Sequence, residues 1–340
     1  MSEDKKLLVV FGATGIQGGS VVRAILADPA ASKQFNIRAV TRNPSKQSAK
    51  TLAQQGVELM KADLEDKDSL RLAIKDAYAV FAVTNFWETF DAAAETRQGM
   101  NVADIAKELD VKHLIWSSLP GISRITNDKL TGVVHFDSKA PVDDYIRQLS
   151  IPHTIVTLAI YATFFFEILT PLPTTPPSYV LAFPKPTSPQ TKVPIIDPTA
   201  DLGKFVNGIL LHPGKTLGQS FNVAGRVYTF EEIVGVANGM GIDIDFQPVD
   251  KETFKAGMVT KGFPDVVCEG VSQAAQYIQE YGYFGGAGFE ESHKASFVGT
   301  LDYTGRYSEK QRGFLAVEES KSDYLGICAT IWQQHIEFFD

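Results

Sequence analysis

Three glycines, Gly12, Gly15 and Gly18, follow the apolar residues 7–10 and precede a helical pattern over residues 20–27. A strand, a tight turn and a helix start in that order make an anion site. The first turn of a helix presents backbone N–H groups without intrahelical partners, at the positive end of its dipole. Gly12 allows a sharp turn, Gly15 lets backbone approach a phosphate, and Gly18 lets the helix pack close to the sheet. With Thr14, Ile16 and Gln17 between them, these residues are the expected contacts to a pyrophosphate.

The spacing is G-x-x-G-x-x-G rather than G-x-G-x-x-G, which points to the short-chain and extended dehydrogenase branch of dinucleotide binders. The choice of dinucleotide is read after the second strand. Residues 37–40 run into Thr41-Arg42-Asn43-Pro44-Ser45-Lys46, with no acid and two cations. A carboxylate there would serve ribose hydroxyls and repel a 2′-phosphate. Arg42 can instead grip that phosphate with a planar fork and Lys46 can add a point charge, so NADP(H) is the expected cofactor. The other reading makes both solvated surface cations. Asp63 and Leu64 follow the third strand, where an adenine rests, and Asp63 either accepts from its amine or caps the next helix. Asn85 stands at the crevice edge after the fourth strand, with Phe86 and Trp87 behind it as packing or as a nicotinamide platform.

Reductases of this branch hold a Tyr-x-x-x-Lys whose lysine lowers the tyrosine pKa for proton transfer. Here Lys139 is in place, but four residues earlier stands His135. Two readings follow. Either Lys139 or His135 moves protons, or Lys139 binds only the nicotinamide ribose and His135 has no catalytic part. Ser117 and Ser118 occupy the place after the fifth strand where a hydroxyl can polarise a substrate carbonyl.

The elements that must position these side chains alternate. Apolar runs at 35–40, 57–60, 79–83, 111–116 and 154–159 are separated by helical patterns at 45–55, 69–75, 89–109 and 133–149. Such alternation predicts a doubly wound parallel α/β sheet with its ligand across the carboxyl ends of the strands. Residues 171–198 hold nine of the seventeen prolines, which predicts an irregular crossing segment without a helix or central strand. The division is a dinucleotide domain over residues 1–160 and a smaller α/β domain over residues 161–340, some of whose segments can return to the first sheet. Beyond the prolines come a helix opening at 197–201, a short strand at 220–223, and a helix with Thr229 and Glu232 at capping-box spacing. Residues 281–288 pack four glycines among aromatics as a loop or a lid.

Of 340 residues, 44% are hydrophobic and 21% charged, which excludes disorder, and the net charge of −8 argues against direct attraction to nucleic acid or anionic lipid. A role in gene control would therefore run through a protein partner. Cys268 and Cys328 have no metal-ligand spacing and are expected as buried thiols in a reducing compartment. The start MSEDKKLLVV leaves no room for a signal peptide, and the apolar stretch 161–169 is broken by Glu167. The expectation is a protein of the cytoplasm, with the nucleus open as a second place, and no membrane or metal.

With Gly12-Ala13-Thr14-Gly15-Ile16-Gln17-Gly18, Thr41-Arg42-Asn43-Pro44, Val83-Thr84-Asn85-Phe86-Trp87-Glu88 and His135-Phe136-Asp137-Ser138-Lys139 in order, the chain resembles the NmrA-like family. These are atypical relatives of the short-chain dehydrogenases. The likeness is strong over residues 6–161 and looser through Asp201-Leu202-Gly203 and Gly262-Phe263-Pro264. It implies a Rossmann domain with a smaller substrate or partner domain. It further implies NADP(H) held by the glycine loop, Arg42 and Lys46, with contacts from Asp63, Asn85, Lys139 and Tyr161.

Members of the family include redox sensors that read the NADPH to NADP ratio and act on a protein partner, such as a GATA-type transcription factor in fungi. Others resemble isoflavone reductases, in which a lysine on the corresponding helix assists hydride transfer. Two functions are carried forward. One is an NADP(H)-binding redox sensor with little or no dehydrogenase activity. The other is an NADPH-dependent reductase of a small aromatic or quinone-like molecule that uses Lys139, with Phe86, Trp87, Tyr161 and Phe164-Phe165-Phe166 lining its pocket. That phenylalanine run stands where relatives often carry an asparagine.

Overall fold

A computed structural model describes residues 5–289 of the chain. The first strand, β1 (Lys6–Val10), buries Leu8, Val9 and Val10 completely, as a strand covered on both faces must. It pairs in parallel with β2 (Phe35–Thr41) on one side and β4 (Ala79–Ala82) on the other. β3 (Glu58–Lys61) continues outward from β2, and β5 (His113–Ser118) and β6 (His153–Leu158) continue outward from β4, all in parallel. Strand order thus reverses between β1 and β4. At such a reversal the connecting loops part and leave a crevice at the carboxyl ends. This is the predicted doubly wound layout.

After β6 come β7 (Ile160–Tyr161), β8 (Thr170–Leu172), β9 (Ser178–Pro184) and β10 (Lys192–Ile196). β11 (Gln219–Val223) then returns to pair in parallel with β6, making seven strands, and β12 (Arg226–Thr229) and β13 (Asp243–Val249) follow. Two three-stranded sheets, β12-β10-β7 and β13-β9-β8, form the smaller part.

The proline-rich segment corrects one expectation, because β9 and β10 are each the middle strand of their sheet. Its prolines fall where a missing N–H costs least. Pro171 lies on edge strand β8, Pro184 ends β9, and Pro194 faces only β12, since β7 pairs with β10 from Ile195 onward. The predicted helix over 133–149 also divides, into Val134–Asp137 and Ala140–Gln148. Pro141, in the first turn of the second piece, has no N–H to return to Asp137. The break leaves Lys139 as the residue that caps the second helix.

The capping box is present: Thr229 N–H donates to Glu232 Oε2 at 2.8 Å, and Glu232 N–H donates to Thr229 Oγ1 at 3.1 Å. The glycine-aromatic segment is a packed loop. Gly282, at φ +73°, ends the helix Asp265–Tyr281, and the buried Tyr283 hydroxyl donates to the Leu158 carbonyl at 3.0 Å. Cys268 is a buried free thiol, whereas Cys328 lies outside the described residues. Among the described residues no helix is long and apolar enough to cross a membrane, and no group of three His, Cys, Asp or Glu could hold a metal ion.

Apolar clusters cover both faces of the large sheet. Val21, Val22 and Ile25 meet Leu202, Val206 and Ile209 on one face, while Leu70, Ile74, Val102, Ile105, Val142 and Ile146 fill the other. A third cluster, with Phe165, Phe183, Phe230 and Phe246, packs the smaller sheets.

Where the helix Ile16–Ala27 meets Gly203–Leu211, a Cβ on Gly203 would stand 2.1 Å from the Ser20 carbonyl oxygen, and Gly203 N–H donates to Ser20 Oγ at 2.9 Å. Backbone cannot yield there as a side-chain tip can. Gly203→Ala should therefore lower the unfolding free energy by about 2 to 3 kcal/mol in urea titration. Gly235→Ala, with open space around its Cβ inside the helix Phe230–Gly239, should raise it by roughly 0.5 to 1 kcal/mol. Equal effects at the two positions would contradict the packing account.

Candidate functional site

At the end of β1 the chain turns through Gly12, at φ +61°, and Gly15 N–H closes the turn on the Gly12 carbonyl at 2.9 Å. Gly15 then heads the helix Ile16–Ala27, which has no acidic residue in its first turn. A Cβ on Gly18 would stand 2.4 Å from the Gly12 oxygen, so only glycine lets the helix start sit on the turn. Thr14, Gly15 and Ile16 are exposed. The result is an accessible helix N-terminus at the crevice between β1 and β4, suited to a diphosphate.

Gln17 points elsewhere. Its Nε2 donates to the Tyr161 hydroxyl at 2.6 Å and its Oε1 accepts from Ser117 Oγ at 2.7 Å, bridging the ends of β5 and β7. Burial pushes the Tyr161 phenol up to about 12, so it stays neutral. Ser118 Oγ donates to the Leu119 carbonyl at 3.3 Å. Both serines are 1% exposed, and their hydroxyls are engaged within the fold rather than open to a substrate carbonyl.

Arg42, just beyond β2, is exposed and paired. Its Nη1 and Nη2 donate to Glu88 Oε2 and Oε1 at 2.8 and 2.6 Å, a bidentate contact to the 3₁₀ turn Phe86–Glu88 after β4. Asn85 caps that turn, its Oδ1 accepting from Trp87 N–H at 3.3 Å. Lys46 caps the helix Gln47–Gln54 through its backbone and leaves its side chain in solvent. The Asp63 carboxylate accepts from Glu65 N–H at 2.9 Å and shapes its own loop, and the half-buried Leu64 receives Asn101 Nδ2 on its carbonyl at 2.9 Å.

Lys139 is buried, and its ammonium meets Glu95 Oε1 at 2.9 Å, Thr84 Oγ1 at 2.7 Å and the Thr84 carbonyl at 3.2 Å. Three donors thus meet three acceptors. Glu95, on the helix Ala92–Glu108, also accepts from Thr84 Oγ1 at 2.8 Å and from Ser138 Oγ. Burial pushes the Glu95 carboxyl up, but the Lys139 charge and the hydroxyl donors outweigh it and hold it below the ordinary carboxylate value.

His135 sits in an aromatic nest, its ring centroid 5.3 Å from Trp87, 5.9 Å from Phe86 and 4.9 Å from Phe136. Desolvation lowers its pKa to about 4, so the imidazole is neutral. Its Nδ1 is buried without a hydrogen-bond partner and packs against the helix Asp265–Tyr281 near Gly270. Trp87 and Phe90, at 45% and 37% exposure, carry the nest to the surface.

The nucleotide-site candidates other than Lys139 thus gather at the carboxyl edge of the large sheet, on the loops after β1 to β4 and in the first turn of the helix Ile16–Ala27, with Ser117 and Ser118 at the end of β5 and Tyr161 in β7, and Lys139 reaches that edge through Thr84. Three groups emerge: Gln17, Ser117 and Tyr161; Arg42 with the Asn85-capped turn; and Lys139 with Thr84. Glu95 was not singled out by sequence, and Glu88 stood only as the end of a family motif, with no role given to it. For Glu95 a signal existed, because its helix buries Ala94, Gly99, Val102, Ala103 and Ala106, and Glu95 is the charged member of that face.

The profile of the NmrA-like family matches residues 4–314. The NmrA-like family domain-containing oxidoreductase hkm9 of Aspergillus hancockii is 31% identical over 280 residues, 78% of this chain and 81% of its own. Among solved structures the chain is similar to NmrA, a negative transcriptional regulator, with a TM-score of 0.72, 20% identity and 99% coverage of each chain. It is also similar to the Citrobacter sp. triphenylmethane reductase complexed with NADP(H), with a TM-score of 0.66, 22% identity and coverage of 86% of this chain and 95% of that one. Both structural likenesses concern the fold.

A neutral buried imidazole makes a pH prediction. With a folded pKa of about 4 against an ordinary 6.5, the unfolded chain binds more protons between those values. Stability then falls as pH drops through that window, by up to about 1.4 kcal/mol per unit. Asp143, raised to about 6 by burial, works in the opposite direction, and His113, also lowered to about 4, in the same one, so the test is a difference between variants. His135→Phe keeps the aromatic packing and should lose roughly 1 to 2 kcal/mol less than the native chain between pH 6.5 and 5 in urea unfolding. Identical losses would contradict a neutral buried His135.

Proposed function

This chain belongs to the NmrA-like family, and from that premise we propose that it binds NADP(H) and relays the nucleotide's state to a protein partner, with little or no dehydrogenase activity of its own. The residues suit the nucleotide. Gly12 and Gly15 keep side chains away from the backbone N–H groups that would hold the pyrophosphate, and Gly18 holds the helix start against the turn. Arg42 offers a planar fork to the 2′-phosphate and Lys46 a second charge. Asp63 and Leu64 edge the adenine position, and Asn85 edges the nicotinamide side.

The regulatory half of the reading is carried by Lys139. Its ammonium donates to Glu95 Oε1, Thr84 Oγ1 and the Thr84 carbonyl. A general acid must be free to meet the reacting atom, and here the nearby alternatives are spent as well. His135 is neutral and walled in, Ser117 is bonded to Gln17, and Tyr161 is a high-pKa phenol receiving the Gln17 amide. A nucleotide site without an available acid binds better than it catalyses. The net charge of −8 disfavours direct nucleic-acid contact, so a regulator built this way works through protein, and exposed Trp87 and Phe90 offer an apolar rim for contact.

A second reading, an NADPH-dependent reductase, is favoured by the aromatic nest and by the oxidoreductase name of the fungal relative. Bound NADPH supplies a hydride. Without a side-chain acid, the substrate must be one that accepts it first and takes a proton from water, as a quinone-like ring does.

One experiment separates the two. The purified full chain should bind NADPH in calorimetry and leave it unconsumed over a panel of quinones, aromatic carbonyls and conjugated dyes. Turnover at about 1 per second or faster with any of them would overturn the regulatory reading and establish the second.

A further inference from the structure

The exposed pair Arg42–Glu88 joins the loop after β2 to the 3₁₀ turn after β4. Glu88 covers the Nη1–Nη2 edge of the guanidinium, at 2.8 and 2.6 Å, with side chains 65% and 42% exposed. That edge is the planar fork that a 2′-phosphate would take. An exposed pair of this kind contributes only about 0 to 1 kcal/mol, and the loop that carries Arg42 and Lys46 attracts a phosphate dianion more strongly than the single charge of a carboxylate. The competition therefore favours the phosphate, at the cost of losing Glu88.

We propose that Glu88 is the nucleotide-specificity residue of this site: it is an exchangeable counter-ion that a 2′-phosphate displaces from Arg42, and its release moves the 3₁₀ turn that carries Trp87. The proposal rests on the NADP(H)-binding reading. Glu88 is the last residue of that turn, Asn85 caps it, and Phe90 N–H closes it on the Phe86 carbonyl at 2.8 Å. Phe90 stands at φ +55°, a strained conformation for a bulky side chain. Trp87 lies between exposed Phe90 and buried Phe86, 6.3 and 5.6 Å away, and 5.3 Å from His135. A strained turn fastened at one end by an exposed ion pair has a second arrangement close in energy. Phosphate on Arg42 removes the fastening, so the occupied site presents a different aromatic rim from the one held by Glu88.

The test uses adenosine 2′,5′-bisphosphate and adenosine 5′-monophosphate, which lack nicotinamide and cannot quench an indole through it. Each is titrated into the full chain, Glu88→Gln and Trp87→Phe, with binding read by calorimetry and tryptophan emission in parallel. Glu88→Gln should tighten the bisphosphate by roughly two- to fivefold and leave the monophosphate unchanged within error. The bisphosphate should change the emission of the native chain, the monophosphate should not, and the change should vanish in Trp87→Phe. Weaker bisphosphate binding in Glu88→Gln would make Glu88 a support of Arg42 and overturn the proposal, as would equal shifts for both ligands or a silent Trp87. If the native chain binds neither these ligands nor NADPH, the nucleotide reading itself falls and takes this one with it.

Discussion

A carboxylate and an ammonium buried together set the terms for the rest of the site. Removing either charge from water costs several kcal/mol, and only close pairing with further hydrogen bonds offsets that. Glu95 and Lys139 meet this demand at 2% and 8% side-chain exposure, and Thr84 and Ser138 complete the shell. The four residues come from three places: the end of β4, the face of the helix Ala92–Glu108, and the break before Ala140–Gln148. The pair therefore fixes how those elements meet, and with them Thr84, the point after β4 from which the loop carrying Asn85, Trp87 and Glu88 departs.

A second ion pair shows the opposite physics. Arg42 and Glu88 lie in solvent, where water and salt weaken their attraction and an incoming anion can compete. One pair is permanent because it is buried, and the other is exchangeable because it is exposed. The first engages the donors of a lysine inside the fold, and the second leaves an arginine at the surface. The proposal of binding without acid–base chemistry rests on that contrast more than on any single residue type.

The sheet was legible because its signals are local. Apolar runs between helical patterns gave the strand sequence, and glycine at 12, 15 and 18 marked the turn that the Gly18 contact requires. Prolines misled, since their number over residues 171–198 says nothing of which edge each one faces; Pro194 is tolerated because β7 starts one residue later. The division of the helix at Ser138–Lys139 was signalled by Pro141, though the count of helical residues around it hid it. At the site, Arg42 and Lys139 could be found by type and spacing, but their partners could not. Glu88 and Glu95 are 46 and 44 residues away from them in sequence, and long-range partners are set by packing that no local pattern encodes.

The central claim is that Lys139 fastens the site rather than acting on the nucleotide. The direct measurement replaces both charges by apolar groups of similar length, Glu95→Met with Lys139→Met, and compares urea stability and NADP affinity with the native chain and with Lys139→Met alone. The single variant leaves a buried carboxylate unpaired and should lose about 3 to 5 kcal/mol, and the double variant should recover to within roughly 1 to 2 kcal/mol of native. NADP affinity in the folded double variant should stay within about threefold of native. A folded double variant whose NADP affinity drops tenfold or more would place Lys139 on the nucleotide and contradict the account.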